Sequence, residues 1–307
     1  MKDSRDTANY PLSAAQIAQS VGVNAQTNAH FITVDTYMDN PTYMRAWVQA
    51  VRAVGRHVWF RTHVSTWQSA NGGTGLTPTE YLAHVQTWIT QNPDLFKAGD
   101  ILDPCPEAEN NPYWTATYGT GWTNGYPTTG TRAFNQFLRA LSDTTDNALH
   151  AAGITGVITG VRSNNSWWAT HPGALETATV ARLGYVTMDS YPDQYTTDPA
   201  TAASLRAAEL DQVHTAWPGV PIVIGEMGYS NKINVDDATQ DAVLKAEFAI
   251  MKTRASWLGG INYWVGAGTS NSGGFTHVFA GSNGAWSLRP AGQDLATFYN
   301  DMNTTRG

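Results

Sequence analysis

Apolar positions along the chain recur with two different periods, and segments of the two kinds alternate. Short runs dense in apolar residues have the length of strands, whereas longer segments repeat apolar residues at helical spacing. The short runs predict strands at residues 30–37, 57–64, 100–107, 154–161, 185–191, 221–226 and 260–265. The longer segments predict helices at residues 12–21, 42–54, 78–91, 132–152, 173–181, 199–215, 237–256 and 291–302.

This alternation predicts a parallel sheet with right-handed crossovers. No linker interrupts it, so residues 1–307 are predicted to form a single α/β domain, a (β/α)8 TIM barrel. An eight-stranded barrel needs one more strand, which should precede the helix at 12–21. Residues 1–11 do not have a strand pattern, so the first strand is expected to be irregular or missing.

Charge and cysteine content exclude several kinds of protein. The net charge is −7 and basic residues are not clustered, which argues against a nucleic-acid surface. No apolar run is long enough to span a membrane. The single cysteine, Cys105, excludes an intrachain disulfide and a cysteine-based zinc site. The 8 histidines form no His-x-His or His-Glu-x-x-His pair, so we expect neither a metal nor a cofactor.

Aromatic residues are abundant, with 12 Trp and 13 Tyr, while charged residues make up only 14%. Such a composition is common in secreted carbohydrate-active proteins, because sugars stack their apolar faces on aromatic rings. Trp122 and Trp168 belong to segments predicted as loops, where each is as plausibly a sugar platform as a core residue. We expect a secreted protein, although residues 1–6 contain no apolar signal-peptide core.

Two of the predicted strands end in a glutamate, Glu107 and Glu226. In a parallel barrel the carboxyl ends of the strands meet at one rim, where catalytic residues lie. Two carboxylates at that rim are the minimal apparatus for hydrolysing a glycosidic bond. Glu109, two residues after Glu107, remains an alternative proton donor.

Alternation of side chains along the predicted strands places further polar groups on the same inner face. Arg61 and His63 share one face, and Asp189 and Tyr191 share another. Asp189 and Asp103 are expected to form buried ion pairs with Arg61 or Arg162 more often than to act chemically. These pairs predict a polar pocket at the barrel mouth.

The motifs around the two glutamates resemble those of the clan A retaining glycoside hydrolases. These are TIM-barrel enzymes with catalytic glutamates after strands four and seven. Residues 105–110, Cys-Pro-Glu-Ala-Glu-Asn, are similar to the strand-four region with its acid/base, and residues 224–228, Ile-Gly-Glu-Met-Gly, are similar to the nucleophile motif. The resemblance covers most of the chain in order, from about His30 to Trp264.

The resemblance implies roles for five residues. Glu107 would be the acid/base and Glu226 the nucleophile. Tyr191 matches the tyrosine that hydrogen-bonds the nucleophile, and Trp264 matches the tryptophan under the cleaved sugar. His63 resembles a strand-three histidine of several of these families.

The chain also departs from the family pattern. Pro106 stands where these enzymes have an asparagine that contacts the sugar 2-hydroxyl, and Asn110 or Asn164 is the expected replacement. The usual strand-two arginine is not evident, although Arg61 or Arg162 has the charge to serve. The resemblance therefore implies a divergent member.

These observations predict a retaining, endo-acting β-glycosidase that cleaves a polysaccharide such as a β-mannan or β-glucan. A retaining mechanism requires carboxyl groups about 5–5.5 Å apart, whereas about 6.5–9.5 Å favours inversion. A carbohydrate-binding barrel without catalytic activity is the alternative. We expect a monomer whose only partner is its oligo- or polysaccharide.

Overall fold

The computed structural model describes residues 11–67, 75–229, 236–264, 278–280 and 286–306. Its strands are β1 (Phe31–Val34), β2 (His57–Arg61), β3 (Ile101–Asp103), β4 (Val186–Ser190), β5 (Ile222–Met227), β6 (Leu258–Tyr263), β7 (Phe279–Ala280) and β8 (Ser287–Leu288). Its helices are α1 (Ala14–Ala25), α2 (Pro41–Ala53), α3 (Pro78–Gln91), α4 (Pro112–Tyr118), α5 (Thr129–Ala151), α6 (Ser166–Thr170), α7 (Thr177–Leu183), α8 (Pro199–Ala216), α9 (Asp237–Lys252) and α10 (Pro290–Arg306). Most of the segment before α1, where the missing strand was expected, lies outside the described residues.

The helices begin where the sequence offers capping groups. Ser13 and Thr77 form capping boxes with Gln16 and Glu80, each satisfying a backbone N–H at the helix start. Asn40 caps α2 ahead of a proline, which fits the first helical turn because it needs no N–H there. Within the described residues, no helix has both the length and the apolar content to span a membrane.

The strands form two parallel three-stranded sheets, in the orders β1-β2-β3 and β4-β5-β6, and β7 pairs with β8 in an antiparallel hairpin. The structure thus confirms an α/β fold with parallel sheets, while a complete eight-stranded barrel remains a prediction. The described helices pack around the sheets, and their apolar faces form one large core.

The predicted strand at 154–161 is the main correction. The segment pairs with β3 only through an isolated parallel bridge between Ile101 and Ile158, and it contains no regular strand. Glycines explain this irregularity. Gly156 has a positive φ of 77°, a conformation typical of turns, and Gly160 lies so close to the Leu183 carbonyl that a side chain would not fit.

The same segment nevertheless connects the two sheets. Its backbone exchanges hydrogen bonds with β3 through Ile158, and farther along the carbonyl of Asn164 accepts a 2.8 Å hydrogen bond from the N–H of Asp189 in β4. On the opposite side, Thr33 Oγ1 of β1 donates a 2.8 Å hydrogen bond to Asn262 Oδ1 of β6. Backbone pairing therefore runs from β1 to β6, and side chains join β6 to β1.

A buried ionic cluster fixes the loop that follows β4. The guanidinium of Arg206, on α8, lies 3.2 Å from Asp193 and 3.2 Å from Glu247, and all three side chains are fully buried. Arg206 also donates a 3.0 Å hydrogen bond to the carbonyl of Ser190 at the end of β4. Helix α8 therefore holds in place the residues next to Tyr191.

A cavity of about 190 Å³ lies at the amino ends of the strands, away from the predicted catalytic glutamates. It borders both β1 and β6, on either side of the position that a first strand would occupy. Its walls are mostly apolar and include Phe31, Trp59, Ile101, Tyr185 and Val223.

Candidate active site

Three carboxylates converge where β3, β4 and β5 end. Glu107, Asp189 and Glu226 each contribute an oxygen, and these oxygens lie within 4.8 Å of one another. Glu107 and Glu226 are the two glutamates singled out from the sequence. Asp189 was expected on the inner face as an ion-pair residue, and its close approach to both glutamates was not predicted.

Arg61, on β2, supplies the opposing charge and is almost completely buried. Its Nη1 donates a 3.0 Å hydrogen bond to Glu226 Oε1 and a 3.1 Å hydrogen bond to the carbonyl of Gly225. Nη2 lies 3.6 Å from Asp189 Oδ2, which is the predicted ion pair. Burial lowers the pKa of Arg61, but Glu226 and Asp189 outweigh it and raise the pKa well above its usual value. The guanidinium therefore stays charged.

A register shift in the sheet brings Asp189 opposite Glu226. The parallel pairing of β4 with β5 slips between Met188 and Asp189, so that Asp189 pairs with Glu226 rather than with Gly225. Ser163 Oγ donates a short hydrogen bond to Asp189 Oδ1. Burial raises the pKa of Asp189 well above its usual value, Arg61 opposes this, and Glu226 and Glu107 add to it.

Glu107 occupies a left-handed backbone conformation with φ of 52°, which is uncommon for a residue other than glycine. Its N–H donates a 2.7 Å hydrogen bond to the Ser163 carbonyl, and its own carbonyl accepts a 3.0 Å hydrogen bond from the N–H of Asn110. A short 3-10 turn, Ala108–Asn110, follows. Unusual backbone conformations of this kind cluster at functional sites.

Glu109 has a different environment from Glu107. Its Oε1 accepts a 2.6 Å hydrogen bond from the N–H of Asn165, and Oε2 is buried without a hydrogen-bond partner. Burial raises the pKa of Glu109 to about 8, against the opposing hydrogen bond from Asn165 and with a smaller contribution from Glu107. Glu109 is therefore protonated at neutral pH.

Tyr191 and Trp264 lie beside the carboxylate cluster. Burial raises the pKa of Tyr191 well above its usual value, and the negative charges of Glu226 and Asp189 raise it further. The N–H of Trp264 donates a 2.5 Å hydrogen bond to the carbonyl of Met227, and its ring centroid lies 5.6 Å from Arg61 Cζ. Trp264 therefore contacts both β5 and Arg61.

The other predicted polar residues have different positions. His63 is buried, with Nδ1 2.8 Å from the carbonyl of Val64 and its ring 5.3 Å from that of Tyr37. Asn164 is also buried, and its Oδ1 has no hydrogen-bond partner. Asn110 is exposed.

Trp122 lies in the loop between α4 and α5, as predicted, but it is buried, and Trp168 lies on a helix rather than on a loop. Trp168 belongs to α6, and its ring centroid lies 4.4 Å from Phe134 and 5.5 Å from Trp122. Trp122 in turn stacks on Trp114 of α4 at 5.7 Å. Both predicted platforms are buried in this aromatic cluster, because mutual packing hides more apolar surface than exposure on a loop.

The three carboxylates are also the kind of group that binds metal ions. The guanidinium of Arg61 already contributes a positive charge 3.0 Å from Glu226. Arg61 already pairs with two of the three carboxylates and would repel a second cation there, which weighs against a metal site.

The sequence contains one indication that another group lies close to β5 beside Glu226. Gly225 precedes Glu226, and a Cβ at this position would overlap Ser163 Oγ and lie 2.9 Å from Asp189 Oδ1. A glycine inside a strand often marks close approach by another group. Here that group is the Ser163–Asp189 pair.

No family model matches the chain, and no curated protein matches it by sequence. Solved structures do match. A native Bacteroidetes-affiliated cellulase of glycoside hydrolase family 5 aligns with a TM-score of 0.64 and 12% identity, over 96% of this chain and 85% of that chain. An endo-β-1,4-glucanase from Xanthomonas axonopodis pv. citri aligns with a TM-score of 0.57 and 13% identity, over 94% and 90% of the two chains.

A β-1,3-glucanosyltransferase of glycoside hydrolase family 17, from Rhizomucor miehei, aligns with a TM-score of 0.54 and 13% identity, over 88% of this chain and 90% of that chain. At such low identities the alignments establish the fold. The chain shares the fold of these glycoside hydrolases over most of its length.

Proposed function

We propose that this protein is a retaining glycoside hydrolase that cleaves β-linked glycans by double displacement. The observation that supports this most directly is the approach of Glu107 and Glu226, with carboxylate oxygens within 4.8 Å of each other where β3 and β5 end. Placement at the carboxyl ends of parallel strands matches the location of active sites in α/β barrels.

In the first step, a carboxylate oxygen of Glu226 attacks the anomeric carbon while Glu107 donates a proton to the departing glycosidic oxygen. The bond to the leaving sugar breaks and a glycosyl ester on Glu226 forms. In the second step, Glu107 removes a proton from water, whose oxygen attacks the anomeric carbon and releases Glu226. Two inversions give net retention.

The short separation of the carboxylates supports retention. An inverting enzyme needs about 6.5–9.5 Å between carboxyl groups to hold a water molecule, whereas a retaining enzyme needs about 5–5.5 Å. Arg61 supports the assignment of Glu226 as nucleophile, since a guanidinium at 3.0 Å favours the ionised carboxylate that must attack.

For the substrate we propose a β-glucan, cleaved internally, with a β-mannan as the alternative. The solved structures with this fold include a cellulase, an endo-β-1,4-glucanase and a β-1,3-glucanosyltransferase. We further propose a secreted monomer, because an enzyme that cleaves polysaccharide must meet its substrate outside the cell.

The test is product formation from a panel of β-linked polysaccharides and aryl β-glycosides by wild type, Glu226→Gln and Glu107→Gln. We expect Glu226→Gln to abolish turnover on every substrate. Glu107→Gln should lose activity on polysaccharide but retain part of it on aryl glycosides with acidic leaving groups, which depart without a proton. Glu176→Gln is the matched control, because Glu176 forms an ion pair with Arg139 of helix α5.

Equal activity in wild type and Glu226→Gln would show that the nucleophile is misassigned. If Glu109→Gln instead lost activity on polysaccharide and kept part of it on the activated aryl glycosides, while Glu107→Gln stayed active on polysaccharide, the acid/base role would move to Glu109. Sugar binding without turnover by the wild type would instead support a non-catalytic carbohydrate-binding barrel.

A further inference from the structure

We propose that Asp189 binds a hydroxyl group of the sugar held between Glu107 and Glu226, namely the 2-hydroxyl. This inference rests on the proposed glycosidase function and adds a specificity-determining residue to it.

The position of Asp189 is the first argument. One of its oxygens lies within 4.8 Å of a carboxylate oxygen of Glu107 and of Glu226. The anomeric carbon must sit between those two glutamates during the reaction. The 2-hydroxyl is on the neighbouring ring carbon and is the hydroxyl nearest to the reacting centre, so it is the one within reach of a third carboxylate in the cluster.

The hydrogen bonding of Asp189 is the second argument. Oδ1 accepts the hydrogen bond from Ser163 Oγ, whereas Oδ2 is buried and has no hydrogen-bond partner. Arg61 Nη2 lies 3.6 Å from Oδ2, beyond hydrogen-bond distance. A buried polar atom without a partner costs about 1–3 kcal/mol. A sugar hydroxyl in the pocket would provide the missing hydrogen bond.

The other candidates for this contact are less well placed. Pro106, directly before Glu107, has no polar side-chain atom. Asn110 is exposed, and Asn164, whose Oδ1 is also buried without a hydrogen-bond partner, contacts Asp189 through its backbone carbonyl, 2.8 Å from the Asp189 N–H. Asp189 has an oxygen without a hydrogen-bond partner and also lies close to both glutamates.

The protonation state of Asp189 suits this role. Burial and the charges of Glu226 and Glu107 raise the pKa of Asp189, against the opposing charge of Arg61. A protonated carboxyl group can donate a hydrogen bond to the hydroxyl oxygen without adding a third negative charge to the cluster. Asparagine, which is neutral and of the same shape, should then be a good substitute.

The test compares kcat/KM of wild type, Asp189→Ala and Asp189→Asn on an aryl β-glucoside and on its 2-deoxy analogue. We expect Asp189→Ala to lose about 100-fold on the glucoside and less than about fivefold on the 2-deoxy analogue, because only the glucoside offers the hydroxyl. Asp189→Asn should stay within about tenfold of wild type on both substrates. Asp193→Asn, in the Arg206 cluster, is the control and should change both rates by the same factor.

An equal loss by Asp189→Ala on both substrates would overturn the proposal, since a purely structural residue does not distinguish them. If circular dichroism shows that Asp189→Ala does not fold, Asp189→Ser replaces it; serine is too short to reach the sugar, and the same selective loss is expected. A wild type that is inactive on all substrates would refute the glycosidase function itself, which is a different result.

Discussion

Arg61 connects the two three-stranded sheets through its contacts with buried carboxylates. It lies on β2 in the first sheet, whereas Glu226 and Asp189 belong to the second. Because the guanidinium and the carboxylate of Glu226 are both buried, each of these charges depends on the other for compensation. A single residue therefore contributes both to the stability of the fold and to the charge state of Glu226, the proposed nucleophile.

Replacement of Arg61 by alanine should remove activity and destabilise the protein by about 3–5 kcal/mol, because Glu226 would be left buried without its counter-ion. Urea denaturation followed by tryptophan fluorescence measures the change. Arg45→Ala is the matched control: Arg45 pairs with Asp94 at 2.7 Å on the surface, and its loss should cost less than about 1 kcal/mol. Similar losses for the two variants would contradict the central role of Arg61.

Sequence patterns identified the carboxylates of the candidate site better than they predicted which side chains are buried around it. Glu226 lies near the end of β5, as its apolar run predicted, whereas β3 ends at Asp103 and Glu107 lies in the turn that follows, not at the end of a strand over 100–107. The burial of Trp122 and Trp168 was not predictable, because it results from contacts with Phe134 on α5, and such contacts are invisible in local sequence. Strand alternation placed Asp189 on the inner face, but the register shift that sets it opposite Glu226 is not visible in the local sequence.

Strand β5 brings Glu226 next to Asp189 and Ser163. Gly225 lies against Ser163 and Asp189, so the strand passes closer to its neighbours there than any side chain would allow. The absence of a side chain at this position is thus a requirement of the site.

Gly225→Ala should destabilise the protein and reduce kcat, because the new methyl group would displace the Ser163–Asp189 pair; overpacking of this kind typically costs about 1–3 kcal/mol. Gly260→Ala, on the adjacent strand β6, is the control, since a Cβ there meets nothing within 4 Å. Thermal unfolding and aryl glycoside hydrolysis measure the two effects. A Gly225→Ala variant as stable and active as Gly260→Ala would show that the close approach is unimportant.

Helices were easier to predict than strands. Capping residues and prolines fix the starts of α2 and α3, which begin at Pro41 and Pro78, close to the predicted 42 and 78. The segment at 154–161 has strand composition, but Gly156 and Gly160 leave it with one bridge to β3. Short helices such as α4 and α6 lack a periodic pattern long enough to detect.

At the scale of the whole molecule, the described part of the chain joins β6 to β1 through side chains rather than through a strand. The cavity at the amino ends of the strands borders the same junction. The first strand, expected before α1, falls mostly on residues outside the described part of the chain.

Stability should depend on pH through Glu109. Its folded pKa of about 8 exceeds that of an unfolded glutamate, about 4.3. Below pH 4.3 both states hold the proton; as the pH rises towards 8 the unfolded state releases it first, so the free energy of unfolding falls, by at most about 1.4 kcal/mol per pH unit. Glu109→Gln should remove this decline.

Urea denaturation of wild type and Glu109→Gln between about pH 5 and pH 8 tests this difference. The gap in unfolding free energy between the two proteins should widen steadily in favour of the variant as the pH rises. Parallel curves would mean that Glu109 is already ionised in the folded protein at acidic pH. Glu80→Gln provides a control, because Glu80 is an exposed capping residue whose pKa is lowered by its hydrogen bonds to Thr77.

The buried Cys105 makes it possible to measure the opening of one segment of this molecule. It is the only cysteine of the chain, it is almost completely buried, and it lies two residues before Glu107. Burial raises the pKa of its thiol well above the usual value, so a thiol-specific reagent meets a protected and unreactive group. Reaction with such a reagent requires the segment that carries Glu107 to open. The labelling rate of the unmodified protein therefore measures how readily that segment opens.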